Sequence, residues 1–528
     1  MASFTPETEG RPPAHTVAGN LSVLREAIWK RRPVLGEIMA KHGSLILHDY
    51  AQDFLDVNPA PRLDARKPEL IAVARELIAK RLGEEVAAGV ATQLARLPLV
   101  STTDHHGPID HPFFINANII SALPYVTATI PELRYLVVFS FASVSVNNAS
   151  AYPRGIEFHG GINGSGNFIR LPILPDRVKM GVVYGMRPFT REDLTKAEAE
   201  LVKKEKKGEI ADGRGQKIRA LLEAYFATPQ VLAKPDFASQ ISAINYRLWP
   251  TFFHPAANVP QTGGPKIPDL VYLDIETLVT ELLLRRHLND PSSLLYQVLF
   301  VPDYQRLALE LFDGIPGGFS RQGDWGSFFF WAVDEKLHRM RMLLDHRTLR
   351  TKTSQYVLPF TPEDIAEALR QKKIFPSMLL CYLTVALYYG FKCLGGFCQV
   401  HDLTLTKEAW RKLLAAVGRS DEAAALEPVQ TKELGGDGMV LSYLKTVTGS
   451  LVPATGIDMA LEGEDTTFGA FARLARTVTM SEMMEPMLPE MYTVLYPVDQ
   501  RDPKLLTVTP EQILRANGLQ GKLEPHVN

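Results

Sequence analysis

The sequence predicts an α/β or α+β protein in which a helical N-terminal layer and an α-rich C-terminal part flank a central mixed sheet. Three features predict it. Apolar residues recur at helical spacing over 20–50 and 67–96, short β-branched runs broken by Gly, Pro and Asn follow from Leu97, and helical patterning returns beyond 267.

In the first layer, residues 1–96, Leu70, Ala72, Val73, Leu77, Ile78 and Leu82 mark one helical face with charges between them. The runs LPLVSTT, YLVVFSFASVSV, GIEFH, NFIRLPIL and MGVVYGM have strand length and composition, which places a sheet-containing core at 97–244. Within that core, 190–227 carries both charge signs interspersed, the pattern of a solvated helix pair turning near Gly213 and Gly215. The Pro-, Gly- and Asn-rich stretch 245–266 reads as a linker or long loop. Helices are then expected at 269–288 and 293–313, a Gly-rich aromatic stretch at 314–331, and further helices in 361–418 and 465–495. All of these belong to a C-terminal region, 267–528, that completes the site.

Composition excludes several classes of function. Lys+Arg 57 against Asp+Glu 59 leaves a net charge of -2, so no broad field favours nucleic acid or an anionic membrane. Cys381, Cys393 and Cys398 are too few for a disulfide framework in 528 residues, which points to a reducing, cytoplasmic setting. The opening MASFTPETEGRPPAH has no apolar core of a secretory signal. The stretch from Ile374 to Phe391 approaches the length of a membrane span, but Pro376, Ser377, Thr384 and its tyrosines make a buried core helix the expectation. No feature of the sequence sets the oligomeric state.

The chemistry-bearing segment is LPLVSTTDHHGPIDHPFF, with three histidines and two aspartates within eight positions. If Leu97–His106 is a strand, Asp104 and His106 share one face and His105 takes the other. Gly107-Pro108 then turns the chain and lets Asp110 and His111 fold back. GIEFHGG repeats the grammar: Glu157 and His159 sit two apart and Gly160-Gly161 ends the run. Two strands ending in acid-x-His-Gly would converge at the carboxyl edge of an open sheet, where ligands bind.

Imidazole and carboxylate together suit zinc, manganese or iron, and a divalent ion left one ligand short holds an activated water. Asp104, His106, His111 and His159 are the candidate metal ligands, while Glu157 and Asp110 are the candidate proton carriers, with Arg154 beside them. Two other readings stay open for the same residues: a metal-free acid–base or substrate site, and purely structural histidines that cap strands.

STTDHHGP followed by HGGIN resembles the Glu-x-His-Gly-Pro and His-Gly-Gly-Asn segments of the creatininase family, metal-dependent amidohydrolases of α/β architecture. The resemblance covers about a dozen residues. Asp104 stands where that family has glutamate, and the aspartate expected shortly afterwards is missing. It implies hydrolysis of a C–N or related bond.

Asn116, Asn118, Arg170 and Arg177 are candidate substrate contacts, since arginine forks match carboxylates and phosphates of a small anionic molecule. Asn147-Asn148, Tyr152 and the loop GINGSGN lie between them, and backbone N–H groups in such a loop receive anions. Neither a Walker loop, a dinucleotide fingerprint nor a G-x-S-x-G elbow occurs. Arg321, Asp324 and Trp325, and Lys392, Gln399 and His401, lie in stretches expected to wall a pocket or fill the core. The leading expectation is therefore a metal-assisted hydrolase. A metal-free transferase or ligase for a phosphorylated or acyl substrate, and a non-catalytic binding or assembly protein, are the alternatives.

Overall fold

The computed structural model describes residues 14–128, 130, 133–148, 151–161, 168–253, 267–446, 449–463 and 467–523. Its organising element is a parallel sheet of four strands: β1 (Leu99–Ser101), β2 (Tyr135–Ser140), β5 (Asp269–Asp274) and β6 (Lys392–Leu394), in the order β6-β1-β2-β5. Between β2 and β5 the chain forms a separate antiparallel hairpin of β3 (Gly155–His159) and β4 (Phe168–Pro172). A five-stranded antiparallel sheet, built from 330–376, stands apart from both. The fold is thus a mixture of helices and several small sheets, with the parallel one at its centre.

Strand alternation explains why this short sheet suffices. Leu99, Leu136, Val138, Leu270, Tyr272 and Leu394 point into one apolar core. Val100, Tyr135, Val137, Phe139, Val271, Leu273 and Cys393 point into a second. A strand buried on both faces reads as a continuous apolar run, and that is why DLVYLD was open to a helical reading from 269. It is instead β5, and the helix begins at Ile275.

The N-terminal layer is helical as its periodicity predicts, with Ala14–Arg31, Pro33–His42, Lys67–Leu82 and Glu84–Arg96 as its main helices. The last two are joined by Gly83 at φ +97°, a conformation that only glycine adopts without cost. The charged stretch forms helices Arg191–Lys206 and Arg214–Leu221, the first closed by a capping box on Thr190. Of the expected linker, 245–253 completes helix Phe237–Leu248 and a following 3-10 turn, and 254–266 lies outside the described residues. The segment Ile374–Phe391 is a strand, a short helix and a π-turn, nearly all buried. Among the described residues no helix is long and apolar enough to cross a membrane. The three cysteines are unpaired thiols.

Candidate active site

The strand order reverses at β1, and such reversals leave a crevice at the carboxyl edge of a parallel sheet. The chain leaving β1 supplies that edge. β1 itself ends at Ser101, earlier than expected, but pairing with β2 resumes in a bridge between His105 and Phe141. Asp104 and His106 then lie on either side of Tyr272: the tyrosine hydroxyl donates to Asp104, and its ring centroid is 6.1 Å from that of His106. His105 turns the other way and packs on Phe114.

Several of the residues expected to bind metal are engaged by protein. Asp104 is fully buried and also accepts from Asn118 at 2.6 Å and from Thr103. Both ring nitrogens of His106 are used, Nδ1 with Ser140 Oγ at 2.7 Å and Nε2 with the Ala238 carbonyl at 2.9 Å. Behind it lies a buried ion pair of Arg81 and Asp274. His159 is held elsewhere: its backbone N–H and Nδ1 both meet Asp458, which also pairs with Arg214 at 2.6 Å. Burial raises the Asp458 pKa, but the His159 ring and the Arg214 guanidinium outweigh it and hold the carboxyl below its usual range. His111 caps helix Pro112–Ala122, its Nδ1 accepting from the Phe113 N–H at 3.3 Å. These four residues are thus not brought to one point, and among the described residues no three His, Cys, Asp or Glu side chains converge on a common ion position. The donor set read from the sequence does not fit a metal centre in this arrangement.

The two proton carriers do meet. Asp110 Oδ2 accepts the backbone N–H of Glu157 at 2.8 Å, which joins the two motifs across 47 residues. The loop carrying Asp110 is fixed by Asn245, whose side chain accepts from Ile109 N–H and donates to the Gly107 carbonyl. Glu157 is fixed by the β3–β4 register, which sets it opposite Arg170, and Oε1 accepts from Arg170 Nε at 2.8 Å. Asp110 Oδ1 and Glu157 Oε2 are buried with no hydrogen-bond partner among the described residues. Burial, followed by the neighbouring Glu157 carboxylate, raises the Asp110 pKa well above the carboxylate range. Burial also raises that of Glu157, against the pull of Arg170. Two such groups retain a proton between them near neutrality.

The histidines beside this pair are neutral. Burial lowers His105 to about 4 and, with the charges of His105 and Arg170 added, His111 to about 3. With Nδ1 accepting, the neutral His111 ring carries its proton on Nε2, which meets no acceptor among the described residues.

The other expected contacts scatter. Arg170, partly exposed, lies over the Tyr152 and Phe168 rings at the edge of an open cavity of about 610 Å³ lined also by Lys204 and Glu209. Arg154 is spent on the Leu174 carbonyl and Asp176, and Arg177 lies in an exposed 3-10 turn. Asn116 holds the backbone N–H groups of Leu441 and Ser442, so it serves the fold, whereas Asn118 holds Asp104. The loop 162–167 lies outside the described residues. Lys392 is buried in β6 and donates to the Asp53 and Asp56 carbonyls. Gln399 bonds Thr102, His401 is buried, and Asp324 pairs with Arg341 and Lys352.

Three acids escaped the sequence reading. Asp437 sits in a Gly-Gly-Asp-Gly loop that runs alongside the end of β6, with Gly435 N–H donating to the Gly395 carbonyl. Its carboxyl accepts from Phe397 N–H at 3.3 Å and lies against Gly396, where any Cβ would collide with it. Glu490, on helix Leu488–Leu495, and Asp458 complete the set. The glycine pattern around Asp437 was the available signal. The other two sit in helical sequence that carries no mark of a site.

No protein-family model matches the chain, and no curated protein matches it.

Proposed function

We propose that the chain is an enzyme that hydrolyses a C–N or related bond of a small molecule, with the Asp110–Glu157 pair as its proton carrier. The observation that supports this is the pairing itself: two buried carboxyls from separate segments, locked by a backbone hydrogen bond, each with an oxygen left unsatisfied. An unsatisfied buried acceptor is costly to a fold, and such costs concentrate at sites of function.

The roles follow from protonation. The ionised member of the pair takes a proton from an attacking water, whose oxygen bonds to the electrophilic carbon. The protonated member delivers its proton to the nitrogen as the C–N bond breaks, so the pair ends the cycle with the proton count it began with. The neutral His111, presenting Nε2–H, donates to the oxygen on which charge develops. Arg170 sets the position of Glu157 at the rim of the site.

Metal-free chemistry is preferred here because Asp104, His106 and His159 already have protein partners. A metal-assisted version with zinc, manganese or iron would require those bonds to be given up. The test is a panel of amides, cyclic amides and amidines incubated with the full chain before and after chelation, with products read by mass spectrometry and metal content by elemental analysis. Turnover that resists chelation and disappears in Asp110→Asn and Glu157→Gln supports the reading. Turnover indifferent to both substitutions, or restored only by added zinc, manganese or iron, overturns it.

A further inference from the structure

The two carboxyls of the pair are not equivalent, and one cation makes the difference. Glu157 Oε1 accepts from Arg170 Nε at 2.8 Å. Asp110 Oδ2 accepts a backbone N–H, and among the described residues no Lys, Arg or His forms an ion pair with it. A buried carboxyl beside a guanidinium is favoured as the anion, while one without counter-charge is favoured as the neutral acid. Glu490, the other charge acting on Glu157, opposes Arg170 more weakly.

Arg170 is fixed in this contact by aromatic rings from two segments. Its guanidinium carbon lies 5.3 Å from the centre of the Tyr152 ring and 5.9 Å from that of Phe168. The Phe168 ring meets His159 edge to face at 5.5 Å, and His159 is itself held by Asp458, so the His-Gly-Gly motif supports the arginine. Tyr152 is buried at φ +36°, a costly conformation for a bulky residue and one that the following proline disfavours further. Three contacts keep it there. Its N–H donates to the Asn148 carbonyl, its carbonyl accepts from Gly155 N–H, and Pro153 packs on Gly107 so closely that a Cβ on that glycine has no room. Backbone strain maintained by its surroundings in this way concentrates at sites of function.

We propose that Arg170, clamped by the Tyr152 and Phe168 rings, commits Glu157 to be the base that activates water and leaves Asp110 as the acid, with Tyr152 as a positioning residue. The two roles rest on the hydrolytic reading; the clamp rests on the contacts alone. Each role has an atom to perform it. Glu157 Oε2, without a partner among the described residues, takes the proton of the water whose oxygen bonds to the carbon. Asp110 Oδ1, likewise without a partner, gives its proton to the nitrogen as the C–N bond breaks. The proton gained by Glu157 passes through the next water to Asp110, which restores the starting state.

The roles are tested on an amide that the full chain turns over and on the 4-nitrophenyl ester of the same acid, whose leaving group needs no proton. Asp110→Asn should lose about 10²-fold or more on the amide and less than about tenfold on the ester, whereas Glu157→Gln should lose about 10²-fold or more on both. Any other pattern overturns the assignment. The clamp is tested without substrate by proton exchange at the Arg170 Nε–H, whose nitrogen resonance is identified by its loss in Arg170→Lys. Exchange should quicken about tenfold or more in Tyr152→Leu and match wild type in Tyr152→Phe, which keeps the ring. Phe168→Leu, at an exposed position, supplies the comparison should Tyr152→Leu not fold. Exchange equal to wild type in the leucine variant removes Tyr152 from the site. Failure to turn over any panel compound, with exchange still under control of the ring, sinks the hydrolytic reading and both roles and keeps the clamp.

Discussion

The carboxylate of Asp110 accepts the backbone N–H of Glu157, so one acid of the pair is anchored on the strand that carries the other. A shift of the β3–β4 hairpin therefore moves Glu157 and pulls on the Asp110 carboxylate at the same time.

From this relationship, Asp110→Asn and Glu157→Gln are each expected to lower turnover by about 10²–10⁴-fold, the usual contribution of a positioned acid or base. Circular dichroism of both variants should match wild type, since the amides are isosteric. Infrared titration gives a check that needs no substrate: the carbonyl stretch of a protonated carboxyl near neutral pH should weaken in both. If neither variant changes that band, the pair holds no proton.

Stability should depend on pH through Asp437, which burial raises to about 7. An acid raised above its unfolded value of about 3.9 favours the folded state while protonated; that contribution is complete below about pH 4 and lost as pH climbs through about 7. Asp437→Asn cannot ionise, so its melting temperature relative to wild type should rise steadily over this window. Asp104, raised to about 6 by burial, adds to the wild-type loss in the same direction. A difference that stays flat from acid to neutral pH would contradict the assignment.

His106→Ala should unfold more easily by about 2–4 kcal/mol, since it takes the ring away from Ser140 and the Ala238 carbonyl and opens a cavity in the core. Asp458→Ala should cost about 2–3 kcal/mol, because the His159 N–H and ring lose their partner and Arg214 keeps only Glu462 as counter-charge. Urea denaturation measures both. Losses confined to metal content, with midpoints unchanged, would return these residues to a ligand role.

Gly155→Ala should disrupt the hairpin, because its Cβ would overlap the Leu171 carbonyl across the β3–β4 pairing. A destabilisation of about 1–3 kcal/mol, the usual cost of overpacking, is expected with a larger fall in turnover than in stability. Amide exchange at Phe158 and Ile169, which pair across the two strands, reports the hairpin directly, and protection equal to wild type would show that the strand absorbs the methyl group.

What could be read from the sequence depended on range. The two-residue alternation of Glu157 and His159 and the turn after His106 are local, and GIEFH is a strand with both side chains on one face. The partners that decide what those side chains do come from far along the chain: Asp458 for His159, Ala238 for His106, Asn245 for the Asp110 loop. No periodicity encodes such contacts. β5 was missed for a different reason, since six apolar-rich residues buried on both faces have the same composition as the helix that follows them.

The pairing of β1 with the late-arriving β6 has a kinetic implication. Leu99 pairs with Lys392, about 290 residues later in the chain, so β1 leaves the ribosome long before its neighbour exists. During synthesis its free edge must be shielded by something else, and at three residues it is too short to recruit a foreign strand effectively. The brevity that weakens this strand thermodynamically is thus a safeguard against aggregation while the nascent polypeptide waits for completion.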